Sequence, residues 1–194
     1  MVMGRLRDLI NRVAPSTVGK ALARLGVKPD EITYLGLALA ALAPVAAALG
    51  DAWLVPVLIA ASSVMDVLDG AVARALNRTS RFGSYLDSLS DRLSDALFLM
   101  ALMILGANVY ASVAALTFSF LVSYSRSKGE QLGVKMEGVG LTERGERSVL
   151  LFIASLAGVL GGRLVMDAVV LIVAVLAAVT VVQRSVHVWK ALAG

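Results

Sequence analysis

The sequence predicts an all-α integral membrane protein, with six transmembrane helices preceded by an N-terminal amphipathic helix lying in the interface. Three observations predict it. Of the 194 residues, 58% are hydrophobic and only 16% charged, against about 45–50% apolar in soluble domains. Six largely uncharged runs approach the roughly 20 residues that a helix needs to cross a bilayer core of about 30 Å. The segment ahead of them sets Arg5, Arg7, Arg12, Lys20 and Arg24 among Leu6, Leu9, Ile10, Leu22 and Leu25. That segment is too charged to span, and it lacks the long apolar core of a signal peptide.

Residues 1–31 thus form a cytosolic juxtamembrane helix, and residues 32–194 a six-helix domain. The spans run from Ile32 to Gly50, Ala52 to Leu76, Ser84 to Gly106, Val109 to Ser125, Ser148 to Gly162 and Ala168 to Gln183. Small residues from Ala38 to Ala48 suit close helix packing. Orientation follows from Lys and Arg in short loops. Six precede the first span, three stand at or beyond the end of the second (Arg74, Arg78, Arg81), five follow the fourth (Arg126, Lys128, Lys135, Arg144, Arg147), and Arg184 and Lys190 lie near the end. All sixteen share one face, so both termini are expected in the cytosol. The sequon at Asn77-Arg78-Thr79 then lies on the wrong side for glycosylation.

Composition narrows the chemistry. With no cysteine and one histidine, there is no disulfide, thiol nucleophile or Cys-rich zinc site, which leaves carboxylates, bases and hydroxyls. The formal charge of +4, set among long uncharged stretches, points to an anionic lipid surface and not to nucleic acid. Gly138-Val139-Gly140 follows no strand and is no dinucleotide fingerprint, and His187 reads as interfacial.

Ionisable groups inside a membrane mark function by default. Asp66 and Asp69 are three apart on the second span, Asp87 and Asp91 four apart on the third, so each pair shares a helix face. Counted at about 1.5 Å per residue, Asp69 and Asp91 both lie about 10 Å from the cytosolic ends. Antiparallel neighbours joined by a short loop are expected to pack side by side, gathering four carboxylates in a pocket open to the cytosolic leaflet. Such a cluster repels itself unless cations bind or protons are taken up. Hard divalent ions with oxygen ligands fit, and a pair of metals about 3.5–4 Å apart is a recurring arrangement in phosphoryl chemistry. Gly70, Ala73 and Gly83 remove bulk beside the acids, and Arg74 offers a phosphate its fork of donors.

The eight fixed positions Asp66, Asp69, Gly70, Ala73, Arg74, Gly83, Asp87 and Asp91 form D-x2-D-G-x2-A-R-x8-G-x3-D-x3-D. This resembles the signature of the CDP-alcohol phosphotransferases, and the six-span hydropathy is similar to that family along the whole chain. The resemblance implies a homodimeric membrane enzyme that binds a CDP-linked lipid, CDP-diacylglycerol or CDP-archaeol. It implies two Mg²⁺ or Mn²⁺ ions held by Asp66, Asp69, Asp87 and Asp91. It further implies nucleotide contacts from Asp69, Gly70, Ala73, Arg74 and Gly83, and Asp91 as catalytic base. Pro29 and Thr33 look like a weaker Pro-Asn-x-x-Thr element of the family, with Asp30 in place of Asn.

The stretch Tyr124-Ser125-Arg126, Lys135, Glu143 to Arg147 and the end of the last span at Arg184 resemble the phosphatidylinositol-phosphate and archaetidylinositol-phosphate synthase branch. That implies an inositol phosphate acceptor, its phosphate gripped by Arg126, Lys135, Arg144, Arg147 and Arg184. Glycerol phosphate would satisfy the same basic cluster. Asp95, one turn beyond Asp91, either joins the site or pairs elsewhere, with Arg92 or a helix N-terminus. A divalent-cation transporter would explain four intramembrane carboxylates, but not the glycines and arginine at their spacings.

Overall fold

The computed structural model describes residues 18–76 and 80–193. The basic residues Arg5, Arg7 and Arg12, and the sequon from 77 to 79, lie outside them. The regular structure of the described residues is all helical, with no strand among them. A short helix α1 (18–24) is followed by six long ones: α2 (Pro29–Ala48), α3 (Leu54–Ala75), α4 (Arg81–Ile104), α5 (Val109–Gln131), α6 (Arg144–Val159) and α7 (Arg163–Ala193).

Local chemistry sets the boundaries. Pro29 opens α2 with Asp30 and Glu31 in its first turn, where a fixed φ and negative charge suit exposed N–H groups. Ser80 caps α4 by accepting from the Gly83 amide at 2.8 Å, and Asn108 caps α5 by accepting from the Ala111 amide at 3.0 Å. The carboxylate of Asp167 takes the Asn108 amide at 2.7 Å, tying the α4–α5 turn to α7. Apolar counting places the ends of α5 to α7 too close together. Six residues of α5 lie beyond Ser125, α6 starts four residues before Ser148, and α7 runs on past Gln183 to Ala193. These extensions carry Arg126, Lys128, Arg144, Arg147 and Lys190. Backbone hydrogen bonding continues where side chains turn polar, and hydropathy does not register it.

Helix α2 packs on both α3 and α4, while α5 and α6 pack on α7. The expected side-by-side packing of α3 and α4 is the weakest of the helix contacts. Their facing edges carry like charges, and the small residues Gly36, Ala40, Ala43 and Ala47 of α2 give each a better surface to close on. Gly36 shows how close: a Cβ there would stand 3.0 Å from the Cβ of Met65, and the Gly36 carbonyl accepts from buried Ser62 Oγ at 2.9 Å. Helix α1 docks the same way, since a Cβ on Gly19 would lie 2.7 Å from the carbonyl oxygen of Ala71.

The apolar core occupies one end of the bundle. It is built from Ala43 and Ala47 of α2, Val55 and Ile59 of α3, Phe98 and Leu102 of α4, Ala115 of α5, Leu151 and Ala154 of α6, and Val170 and Val173 of α7. The opposite end holds the carboxylates and arginines. Outward-facing positions such as Leu35, Leu42, Val57, Leu171 and Val175 are exposed and apolar, as a lipid-facing surface requires. Three helices, α2, α3 and α7, are long and apolar enough to cross a membrane.

Replacing Gly36 by Val is expected to separate α2 from α3 and to lower stability by about 1–3 kcal/mol, the usual cost of overpacking. Thermal unfolding in detergent checks this, and an unchanged midpoint would show that the helices are not in this close contact.

Candidate active site

The site is assembled from the polar ends of α2 to α7. On α2, Thr33 donates to Asp69 Oδ2 at 2.6 Å, its Oγ1 also lying 3.2 Å from the Pro29 carbonyl oxygen, and so orients a carboxylate that is itself buried. One turn along, the missing side chain of Gly36 leaves room for Asp66, whose Oδ1 lies 3.6 Å from where a Cβ would be. On α3, the guanidinium of Arg74 arches over Gly70, and a Cβ on that glycine would come within 3.2 Å of Nη1. At the start of α4, a Cβ on Gly83 would stand 2.9 Å from Ser80 Oγ and 3.3 Å from Asp30 Oδ1. Any larger residue at these two glycines would intrude on polar groups. Ala73 is half-buried and Arg74 exposed.

Asp87 is exposed at the mouth, and its charge acts on Asp66, Asp69 and Asp91, so the four carboxylates form one electrostatic unit. Arg144, the first residue of α6, stands inside it. Nη2 donates to Asp66 Oδ2 at 2.6 Å, and Nη1 meets Asp91 Oδ1 at 2.6 Å. A single guanidinium therefore bridges α3 to α4. Among the described residues, no three carboxylates converge on a point that could hold a metal ion as the side chains stand. The donor set nevertheless suits a hard cation: all-oxygen, multiply negative, and already spanned by a positive charge.

Beyond Arg144 lies a cavity of about 100 Å³ lined by Asp91, Asp95, Arg126, Arg144, Arg147 and Arg184, among others. Arg184 is buried, donating from Nε to the Val139 carbonyl at 2.9 Å and from Nη1 to the Val122 carbonyl at 2.5 Å. Arg126 pairs with Glu130 at 2.9 Å on the exposed side of α5. Arg147 is tied to Asp95, with Nε and Nη2 at 3.3 and 2.9 Å from one carboxylate oxygen. The structure thus brings Arg126, Arg144, Arg147 and Arg184 together and leaves Lys135 apart. Lys135 lines a separate groove of about 580 Å³ with Glu137 and His187, and its carbonyl lies 3.0 Å from His187 Nε2.

The CDP-alcohol phosphatidyltransferase profile matches residues 27–182. The chain belongs to the CDP-alcohol phosphatidyltransferase family. Over 169 residues it is 40% identical to the archaetidylinositol phosphate synthase of Pyrococcus horikoshii, covering 86% of each chain. Its fold matches the phosphatidylinositol phosphate synthase of Mycobacterium tuberculosis with CDP-DAG bound, with a TM-score of 0.76 at 27% identity over 92% of this chain and 94% of that one. Against the same enzyme in complex with manganese and citrate, the TM-score is 0.78 at 26% identity, over 91% and 89% of the two chains. The protein is accordingly an integral membrane transferase of phospholipid biosynthesis, and family membership decides against ion transport.

The Asp95–Arg147 pair is the residue arrangement that sequence reasoning left open. A signal was present. Asp95 repeats the face of Asp91 four residues on, and Arg147 repeats that of Arg144 three residues on, so two acids and two bases sit at matching helical spacing. Breaking this pair by Arg147→Ala is expected to cost about 3–5 kcal/mol, because it strands a buried carboxylate. Removing both partners should recover much of the loss. Unfolding midpoints of the two single variants and the double variant test it, and a single variant as stable as wild type would show that the pair is not buried.

Proposed function

We propose that this enzyme transfers a phosphatidyl- or archaetidyl-type phosphate group from a CDP-linked lipid to a hydroxyl of inositol phosphate, releasing CMP. The observation that carries this reading is the cavity where Asp91 faces Arg126, Arg144, Arg147 and Arg184. It sets the last carboxylate of the family motif beside a basic recess that suits a phosphate group. With Arg92 the cavity has five arginines against Asp91, Asp95 and Glu143, a basic excess that fits a doubly charged acceptor better than a neutral alcohol. The relatives are named archaetidylinositol phosphate synthase and phosphatidylinositol phosphate synthase, which supports the same acceptor.

The cofactor proposed is a pair of Mg²⁺ or Mn²⁺ ions held by Asp66, Asp69, Asp87 and Asp91, in keeping with the manganese-bound neighbour. Such ions, when bound, withdraw charge from a diphosphate and stabilise the departing nucleotide phosphate. The chain's own residues do the rest. Thr33 fixes Asp69, while Gly70 and Gly83 leave space against which the nucleotide lies, with Arg74 over it. Asp91, at the boundary between acid edge and cavity, accepts the proton of the attacking hydroxyl. All six long helices span the membrane in this reading, as a homodimer. The N-terminal segment lies in the interface, and both termini and the site face the cytosol, as the basic loops require.

Two measurements test the proposal. With CDP-diacylglycerol or CDP-archaeol, a divalent metal and a panel of acceptors, CMP release is expected with inositol phosphate and not with free inositol or serine. Equal release with glycerol phosphate would move the acceptor assignment. Asp91→Asn is expected to retain nucleotide binding while slowing release by about 10²–10⁴-fold, the range of general-base assistance. Rates near wild type would remove Asp91 from that role.

A further inference from the structure

Arg144 occupies an unusual position for a residue assigned to an acceptor anion. Both of its Nη atoms are taken by carboxylates, at 2.6 Å from Asp66 and 2.6 Å from Asp91, and its buried Nε has no hydrogen-bond partner. Those two carboxylates belong to the proposed cation site. A divalent ion coordinated by them at about 2.0–2.6 Å would stand within a few ångströms of the guanidinium. Like charges about 4 Å apart repel strongly even in a well-screened protein interior. Arg144 and a bound cation are therefore alternatives. The open space beside Arg144 is the cavity that it lines with Arg126, Arg147 and Arg184, so a displaced guanidinium has a destination with room for its donors.

We propose that Arg144 is an exchangeable counter-ion. In the cation-free protein it holds the carboxylate edges of α3 and α4 together, and when a divalent cation takes its place it turns into the cavity and completes the binding of an anion there. The inference rests on the carboxylate cation site proposed above and adds a coupling between two ligands. Arg144 competes with the cation in the absence of anion. An anion that holds Arg144 in the cavity removes that competitor. By linkage, each ligand then strengthens the other by the same factor.

The test is Mn²⁺ binding to the full chain in detergent, read by the paramagnetic resonance of free Mn²⁺, with and without inorganic phosphate. Arg144→Gln is expected to bind Mn²⁺ about 5-fold or more tightly than wild type, the lower end of typical couplings. Phosphate should tighten Mn²⁺ binding in wild type by a similar factor and have little effect in the variant. Should Arg144→Gln fail to fold, Arg144→Ala serves in its place: it also removes the competing positive charge, so its Mn²⁺ affinity should likewise exceed wild type. Equal or weaker Mn²⁺ binding in a folded variant overturns the exchange. So does full phosphate coupling in Arg144→Gln, which would mean that the anion acts on the ion directly. Absence of Mn²⁺ binding by wild type would instead overturn the cation site itself, and the exchange with it.

Discussion

Two helix edges of like charge can share a bundle only if something positive stands between them, and most of this architecture follows from that constraint. Asp66 and Asp69 on α3 face Asp87 and Asp91 on α4, yet α3 and α4 scarcely touch. Each closes on α2 instead, whose glycine and alanines accept close neighbours. The remaining gap is bridged from a third direction by Arg144 at the start of α6. At an effective dielectric near 20, two bare charges about 4 Å apart repel by about 4 kcal/mol, so this bridge decides how α6 must sit. The segment before α6 is fastened accordingly. The Thr142 amide donates to Thr180 Oγ1 on α7 at 3.2 Å, Arg184 holds the Val139 carbonyl, and Gly140 takes a positive φ of 118° where its missing side chain clears Thr180.

The bundle accordingly divides its tasks between its ends. One end is a dry pack of Ala, Val, Leu and Phe98, held by close contact between small residues, since lipid supplies no hydrophobic drive between helices. The other end carries nearly every charge that the helices contain. Gly36, Gly70 and Gly83 all stand at this second end. Each keeps space where a side chain would meet Asp66, Arg74 or Asp30, so the backbone there is shaped for something to lie against it.

Much of this was legible in the sequence. The fold class, the helices and the motif carboxylates follow from uncharged runs and from helical spacing, because both are local properties of the chain. Thr33 could be found through its spacing from Pro29, although nothing local shows that it reaches Asp69, thirty-six residues away. The distribution of the five basic candidates was not legible. Arg126, Lys135, Arg144, Arg147 and Arg184 look alike in a list of charges near one face. Their fates diverge through backbone path: the turns at Gly133 and Gly138 carry Lys135 into another groove, while α7 brings Arg184 back across the bundle onto the Val122 carbonyl. Long-range packing decides such questions, and spacing alone does not encode it. The weak contact between α3 and α4 escaped for the same reason: the carboxylates were legible, but not that α2 would offer each helix a closer surface.

The two arginines of α6 show how environment separates a structural pair from a working one. Helices α4 and α6 run in the same direction, so Asp91 and Asp95 climb one as Arg144 and Arg147 climb the other, giving two rungs of identical chemistry. The inner rung is sealed: the side chains of Arg147 and Asp95 are 5% and 4% exposed. The outer rung is open, with Arg144 at 21% and Asp91 at 20%, and Asp66 pulls on the same guanidinium from α3. A pair closed off from solvent is costly to break. An open one can exchange a side-chain cation for a dissolved one because solvent reaches it. One helical turn along the same pair of helices therefore carries the chain from a fixed buried contact to a site that can accept ligands.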